Sequence, residues 1–204
     1  NWLLLRDYNC DGLKDVFTGD ILGIRVFKNT TAPGEQLSWE HYRFSTGSAG
    51  AKSDVLLTQG IEFKVNLQLQ FDDLPAIVDA DGDGDLDIFN VRYAGHGVEF
   101  HRNLSIENSW NCDSLEFTRV TTKWGDFSEC HCEHIALNGD DCSAGGRTKH
   151  AGGKALLALD ANGDQNLDII FSEAECPHLF QMTNTGTVSA PVVNSYHPFP
   201  QWTP

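Results

Sequence analysis

The chain has 204 residues, with 29 acidic against 14 basic side chains and a formal net charge of -15. That length suits one domain with room for a core, and so large an excess of acid argues against a nucleic-acid partner. Apolar runs such as Leu3 to Leu5 and Ala155 to Leu159 fall far short of the roughly 20 residues a membrane helix needs, so direct membrane insertion is not expected.

The chain opens on Asn1-Trp2-Leu3, with no basic stretch, apolar stretch and cleavage site in succession. It reads as a mature product or a piece of a longer polypeptide. Trp2 to Leu5 is a short apolar run and predicts a strand; Val16-Phe17 and Ile24 to Asn29 predict two more, and Trp39 to Phe44 a fourth. Residues 45–53 form a loop rich in Gly, Ser and Ala. The same order returns with Ala76 to Val78, Ile88-Phe89, Val98 to Asn103 and Leu115 to Val120. It returns again with Ala155 to Leu159, Ile169 to Phe171, His178 to Asn184 and Val192 to Phe199. Apolar residues show no sustained helical period, so the chain is expected to be all-β, with about four short strands per unit.

Between the first and second predicted strands of each unit lies an acidic nonapeptide. The three copies are Asp7 to Asp15, Asp79 to Asp87 and Asp160 to Asp168, spaced 72 and 81 residues apart. Each carries Asp at position 1, Asp or Asn at 3, Asp at 5 and Asp at 9. The implied units are 1–72, 73–153 and 154–204, the second containing an insertion at 123–153 rich in Gly, Cys, His and acids. Four-stranded units at this period suggest β-propeller blades, of which a closed ring needs about 4 to 8. Three units therefore form part of a propeller, to be completed by further blades of the same or a partner chain.

Alternating acids in a tight loop can turn oxygens toward one point, and calcium takes about 6–8 oxygen ligands. The candidate ligands are Asp7, Asn9, Asp11 and Asp15; Asp79, Asp81, Asp83 and Asp87; and Asp160, Asn162, Asp164 and Asp168. Position 7 would contribute a backbone carbonyl, from Leu13, Asp85 or Asn166. Up to three Ca²⁺ sites follow. An EF-hand is excluded because position 12 is Thr18, Asn90 or Phe171 rather than Glu, and the flanks are strand-like. Tandem nonapeptide calcium repeats are excluded by the wide spacing.

The pattern Asp-x-(Asp/Asn)-x-Asp-x-x-x-Asp between apolar strands resembles the FG-GAP/VCBS family of calcium-binding propeller repeats, as in the integrin α-subunit head. Phe27-Lys28-Asn29-Thr30-Thr31 and Asn184-Thr185-Gly186 also resemble the VCBS type. The resemblance implies a seven- or eight-bladed propeller, extracellular, with calcium in a loop of each blade. In bacteria such repeats belong to large secreted and surface proteins, including those exported by type IX secretion. Two positions depart from the pattern: Gln165 stands where Gly is usual, and Cys10 lies inside the first loop.

Six cysteines suggest an oxidising compartment. Glu129-Cys130-His131-Cys132-Glu133-His134, with Cys142, His150 and Cys176, could hold zinc, carry a reactive thiol or form disulfides. Disulfides are expected, with Cys142 a natural partner for either Cys130 or Cys132. His96 reads as a turn residue. Trp39, Trp110 and Trp124 fit blade packing better than sugar stacking. Asn29-Thr30-Thr31 and Asn103-Leu104-Ser105 are formal glycosylation sequons. Nothing gathers acid, base and cation in one cleft, so the expected function is non-enzymatic: a secreted or cell-surface, calcium-stabilised segment presenting loops to a protein or glycan. The alternatives are an accessory or catalytic propeller of a polysaccharide-degrading enzyme, and a component or cargo of a surface or secretion assembly.

Overall fold

The structure is a computed structural model that describes residues 2–47, 50–93, 95–132, 134–140, 142 and 153–200. Strands β1 (Leu3–Arg6), β2 (Asp15–Asp20), β3 (Gly23–Asn29) and β4 (Trp39–His41) form an antiparallel sheet in chain order. Short strands β5 (Phe44–Ser45) and β6 (Lys52–Ser53) make a hairpin across the predicted Gly/Ser/Ala loop. A second hairpin, β7 (Leu57–Gln59) and β8 (Lys64–Asn66), precedes β9 (Ala76–Val78), β10 (Asp87–Val91), β11 (Val98–Asn103) and β12 (Phe117–Thr121). These six form one sheet, ordered β8-β7-β12-β11-β10-β9, in which β7 runs parallel to β12. After a 3-10 turn at Trp124–Asp126 and the hairpin β13 (Ser128–His131) and β14 (His134–Ala136), strands β15 (Lys154–Leu159), β16 (Asp168–Glu173), β17 (Leu179–Asn184) and β18 (Val193–Phe199) complete a third antiparallel sheet.

The described chain is thus all-β, and none of its sheets closes on itself. Every predicted strand overlaps an observed one, but Trp39 to Phe44 is split between β4 and β5, which belong to different sheets. The short strands β5 to β8, β13 and β14 were not legible, because two to four residues without alternation carry no periodic signal. Hairpin β7–β8 lies within residues 1–72 yet pairs with the second sheet. Its flanks explain this: Leu56, Leu57, Leu67 and Leu69 are buried in a core shared with Phe17, Val26, Ile88 and Phe117.

Two apolar cores hold the three sheets together. One lies between the first and second sheets and includes Tyr8, Phe17, Ile24 and Ile88. The other joins the second and third through Phe89, Phe100, Trp124, Ile169, Phe171 and Met182. Adjacent residues Ile88 and Phe89 enter opposite cores, as strand alternation requires. All five residues of β10 are buried, so the middle sheet is covered on both faces. Full burial of each such side chain contributes about 1.5–3 kcal/mol, which makes this face-to-face stacking the dominant favourable term. The turn from β2 to β3 is glycine-dependent: Gly23 has φ 142°, and a Cβ there would lie 2.5 Å from the Leu67 carbonyl oxygen.

Three disulfides staple the chain: Cys10–Cys112, Cys130–Cys142 and Cys132–Cys176. Of the two partners open to Cys142, Cys130 is the one taken, and no cysteine is free. Zinc and reactive-thiol readings of the Cys/His string are thereby set aside. Trp124 is buried in the second core, whereas Trp39 and Trp110 remain partly exposed. His150 and Glu133 lie outside the described residues.

Candidate metal loops and a polar cavity

Each acidic loop is the connection of a β-hairpin, closed at the same register. Arg6 faces Asp15, Val78 faces Asp87 and Leu159 faces Asp168. Position 1 nucleates the loop by accepting from the backbone. Asp79 takes Gly82 N–H at 2.8 Å and Gly84 N–H at 3.1 Å, while Asp160 takes Gly163 at 2.7 Å and Gln165 at 2.9 Å. Asp7 likewise accepts from Asp11 and Gly12. Position 5 accepts from the N–H of position 7 in all three loops, at 2.8, 3.0 and 2.8 Å. These bonds hold the Asp11 carboxyl below its ordinary range through Leu13 N–H, and that of Asp160 through Gln165 N–H.

Position 9 does something the sequence did not reveal. Asp15, Asp87 and Asp168 are fully buried. One oxygen of each accepts the N–H of position 2: Tyr8 at 3.1 Å, Ala80 at 3.1 Å and Ala161 at 3.3 Å. The other accepts, at 2.8 Å in every copy, the N–H of the Asn ending the third strand: Asn29, Asn103 and Asn184. Those asparagines in turn accept at Oδ1 from Thr31, Glu116 and Gly186 N–H. The Asp–Asn pair is therefore a repeated clamp joining loop, second strand and third strand. Burial raises the Asp15 carboxyl and pushes that of Asp87 up to about 8. The oxygens of Asp15 and Asp87, each having accepted one of these bonds, retain a lone pair for a cation, whereas Asp168 Oδ2 also accepts from the Gln181 amide at 3.1 Å.

The loops fit a hard cation to different degrees. Asp79, Asp81 and Asp83 bring carboxylate oxygens within 4.8 Å of one another. An ion about 2.3–2.6 Å from its ligands accommodates such separations. In the first and third loops the position-3 amides of Asn9 and Asn162 donate to Asp11 and Asp164, at 2.9 and 3.1 Å. Asn9 Oδ1 is buried without a hydrogen-bond partner and is free to serve as a ligand. All the side-chain donors are oxygens or amides, a set suited to calcium rather than zinc or copper. Leu13, Asp85 and Asn166 occupy position 7, and the Asp85 side chain is itself buried.

Both positions 4 and 6 adopt positive φ. Cys10, Gly82 and Gly163 have φ 58°, 80° and 84°, and Gly12, Gly84 and Gln165 have φ 84°, 104° and 70°. Gln165 and Cys10, the two departures from the repeat pattern, sit where glycine is favoured. Arg102, one residue before the strand-ending Asn103, lies beside the second loop, with Nε 3.2 Å from Asp81 Oδ2. A basic residue before that Asn also occurs as Lys28, a signal the sequence offered.

Away from the loops, one cavity of about 510 Å³ is lined by Asn66, Gln68, Arg92, Tyr93, Glu99 and Arg119, among others. Its buried floor is a chain of contacts: Thr58 Oγ1 to His101 Nδ1 at 3.0 Å, His101 Nε2 to Glu99 Oε2 at 3.4 Å, and Glu99 Oε1 to Arg119 at 3.5 Å. Burial lowers the His101 pKa and keeps the ring neutral at pH 7. Burial pushes Glu99 up, but His101 and Arg119 outweigh it and leave the carboxyl below its ordinary range. An ionised Glu99 can only accept, so Nε2 carries the proton and Nδ1 accepts from Thr58. Thr58 is 1 % exposed and so is not presented as a nucleophile.

A buried ionic cluster lies at the start of β15. Lys154 Nζ contacts Glu129 Oε2, packs 5.6 Å above the Phe171 ring, and its N–H donates to Asp73 Oδ1 at 2.9 Å. Asp73 Oδ2 is buried and unpartnered, and burial, reinforced by Asp72 and opposed by Lys154, pushes this carboxyl up to about 6. A raised native pKa stabilises the fold below about pH 4, and that contribution is lost as pH rises through about 6. Asp73→Asn keeps the acceptor for Lys154 N–H. It should therefore raise stability at pH 8 by about 2 kcal/mol and change it little at pH 4, as read by urea unfolding at both pH values.

The fold and site define an all-β protein with three disulfides and acidic clusters able to hold a metal ion. No family model, curated protein or solved structure matches the chain. Among the described residues no helix is long and apolar enough to cross a membrane, and three disulfides accord with an oxidising, extracellular environment.

Proposed function

We propose that the chain is a calcium-stabilised β-propeller segment of the FG-GAP/VCBS type, belonging to a secreted or cell-surface protein with a structural and adhesive role. One observation carries the reading: the same acidic hairpin loop, with the same buried Asp–Asn clamp, recurs on three successive four-stranded antiparallel arrays. Three independent acidic turns would have no reason to share register, hydrogen bonds and strand order. Further blades of the same or a partner chain would cover the apolar side chains left open at the outer sheets, among them Leu3, Leu5 and Leu157 at 59, 48 and 50 % exposure.

The loops and sheets form the scaffold, and the polar cavity is where a glycan or protein segment would be held. Two guanidiniums against one carboxylate make it a locally positive spot on a chain of net charge -15. Amides and a half-exposed Tyr93 supply the hydrogen bonds and ring face that saccharides use. A glycan array followed by turnover assays on the bound polysaccharides tests the role. Binding without turnover, weakened at least tenfold by Arg92→Ala with Arg119→Ala, is expected. Turnover abolished by Glu99→Gln would establish the polysaccharide-degrading alternative instead.

A further inference from the structure

We propose that Asp83, Asp85 and Glu107 form a second divalent-cation site beside the second loop, separate from the nonapeptide site. In a nonapeptide loop, position 7 serves through its carbonyl alone. Here position 7 is Asp85, and its side chain is not turned to solvent: the residue is 1 % exposed. Asp85 Oδ2 accepts Ile106 N–H at 3.1 Å, while Oδ1 is buried with no hydrogen-bond partner. A buried carboxylate oxygen without a partner leaves a desolvated charge uncompensated, which is expensive unless a cation answers it.

Two neighbours make the answer a cation. Carboxylate oxygens of Asp83, Asp85 and Glu107 lie within 4.8 Å of one another. Glu107 is exposed and belongs to the turn after β11, which the Ile106 bond anchors over the loop. Arg102 is the cation at hand, and it cannot neutralise the group. Its Nε is 3.2 Å from Asp81 Oδ2 and its Nη1 is 3.7 Å from Glu107 Oε1, while Nη2 donates to Ser189 at 3.1 Å. That one guanidinium is therefore divided between Asp81, Glu107 and Ser189, and its ion pairs do not include Asp83 or Asp85. Three hard oxygens open to water on the Glu107 side suit calcium, with water completing the shell. Asp83 belongs to both oxygen groups and would bridge the two ions. The first and third loops carry Leu13 and Asn166 at position 7, so this site is peculiar to the second unit.

The test uses the full chain and Ca²⁺ alone, with stoichiometry read by native mass spectrometry and calorimetry. Asp85→Asn and Glu107→Gln leave every ligand of the nonapeptide loop in place, since Asp85 serves that loop only by its carbonyl. Each should bind one ion fewer than the unaltered chain, whereas Asp79→Asn should lose the loop ion. Asp85→Asn should also change sign with calcium, raising the melting temperature in chelator and lowering it at saturating Ca²⁺. Unchanged stoichiometry in both variants, or one sign of the Asp85→Asn shift under both conditions, overturns the site. An unaltered chain that binds no Ca²⁺ at all would instead overturn the calcium reading of the loops.

Discussion

Asp87→Ala should lower the stability of the folded chain by about 3–5 kcal/mol, because it strands two backbone N–H groups at once. Those donors belong to Ala80 and Asn103, and the Asn103 bond is fully buried. Asp15→Ala and Asp168→Ala should act alike, since both make the same pair of bonds. Asp→Asn at these positions should be milder, because the amide oxygen keeps one donor satisfied. The decisive condition is chelator. A clamp works without metal, so the alanine variants should lose stability there too, while Asp11→Ala and Asp81→Ala should lose much less. Urea unfolding with and without calcium measures both, and position-9 variants that differ from the parent only when calcium is present would refute the clamp.

Calcium itself should raise the melting temperature by about 15–30 °C. Each site filled at a hundredfold excess over its dissociation constant adds about 2.7 kcal/mol, and three such sites add about 8. The second loop should bind tightest. It has four side-chain carboxylates against three in the others, and Asp85 and Glu107 add negative charge that Arg102 only partly offsets. Asp83→Ala should therefore reduce the calcium-induced shift more than Asp11→Ala or Asp164→Ala. The third loop should be weakest, because Gln165 holds φ 70°. Gln165→Gly should relieve about 1 kcal/mol and strengthen that site. A calorimetric titration of these variants gives the order directly, and a chelator without effect on melting would defeat the calcium assignment.

How much of this could be read beforehand depended on whether the signal was local. The acidic loops were legible because carboxylate spacing is a property of nine consecutive residues. The strands beside them were legible because Ile88-Phe89 and Ile169 to Phe171 are buried runs with β-forming side chains. Gln165 stood out because the other two copies carry Gly12 and Gly84 at that place, and it adopts the positive φ that glycine favours. Nothing local marked Asp87 as a clamp rather than only a ligand, since its partner Asn103 lies across two strands. Asp85 and Glu107 are 22 residues apart in sequence and meet only through the turn after β11. The buried Lys154 was equally invisible, its counter-charge Glu129 arriving from the Cys/His insertion. The cavity floor draws Thr58 from a hairpin that pairs with a sheet formed much later in the chain.

The arrangement of the disulfides also decides what a protease could do to this molecule. Cys10–Cys112 encloses the chain from the first acidic loop to the turn after β11, and its sulfurs lie 3.8 and 3.7 Å from the Gly84 carbonyl oxygen. Cys132–Cys176 starts within the insertion and encloses the rest of it together with the whole third loop. Among the described residues the most exposed large apolar side chain, Ile61 at 99 %, stands at the tip of the β7–β8 hairpin inside the first bracket. A cut there would leave two pieces covalently joined, with both flanking acidic loops still fastened together. Only the stretch between Cys112 and Cys130 connects the two bracketed halves by peptide bonds alone. There, Phe117 and Trp124 are locked into the two separate cores. A chain built this way can be nicked at this accessible point without coming apart.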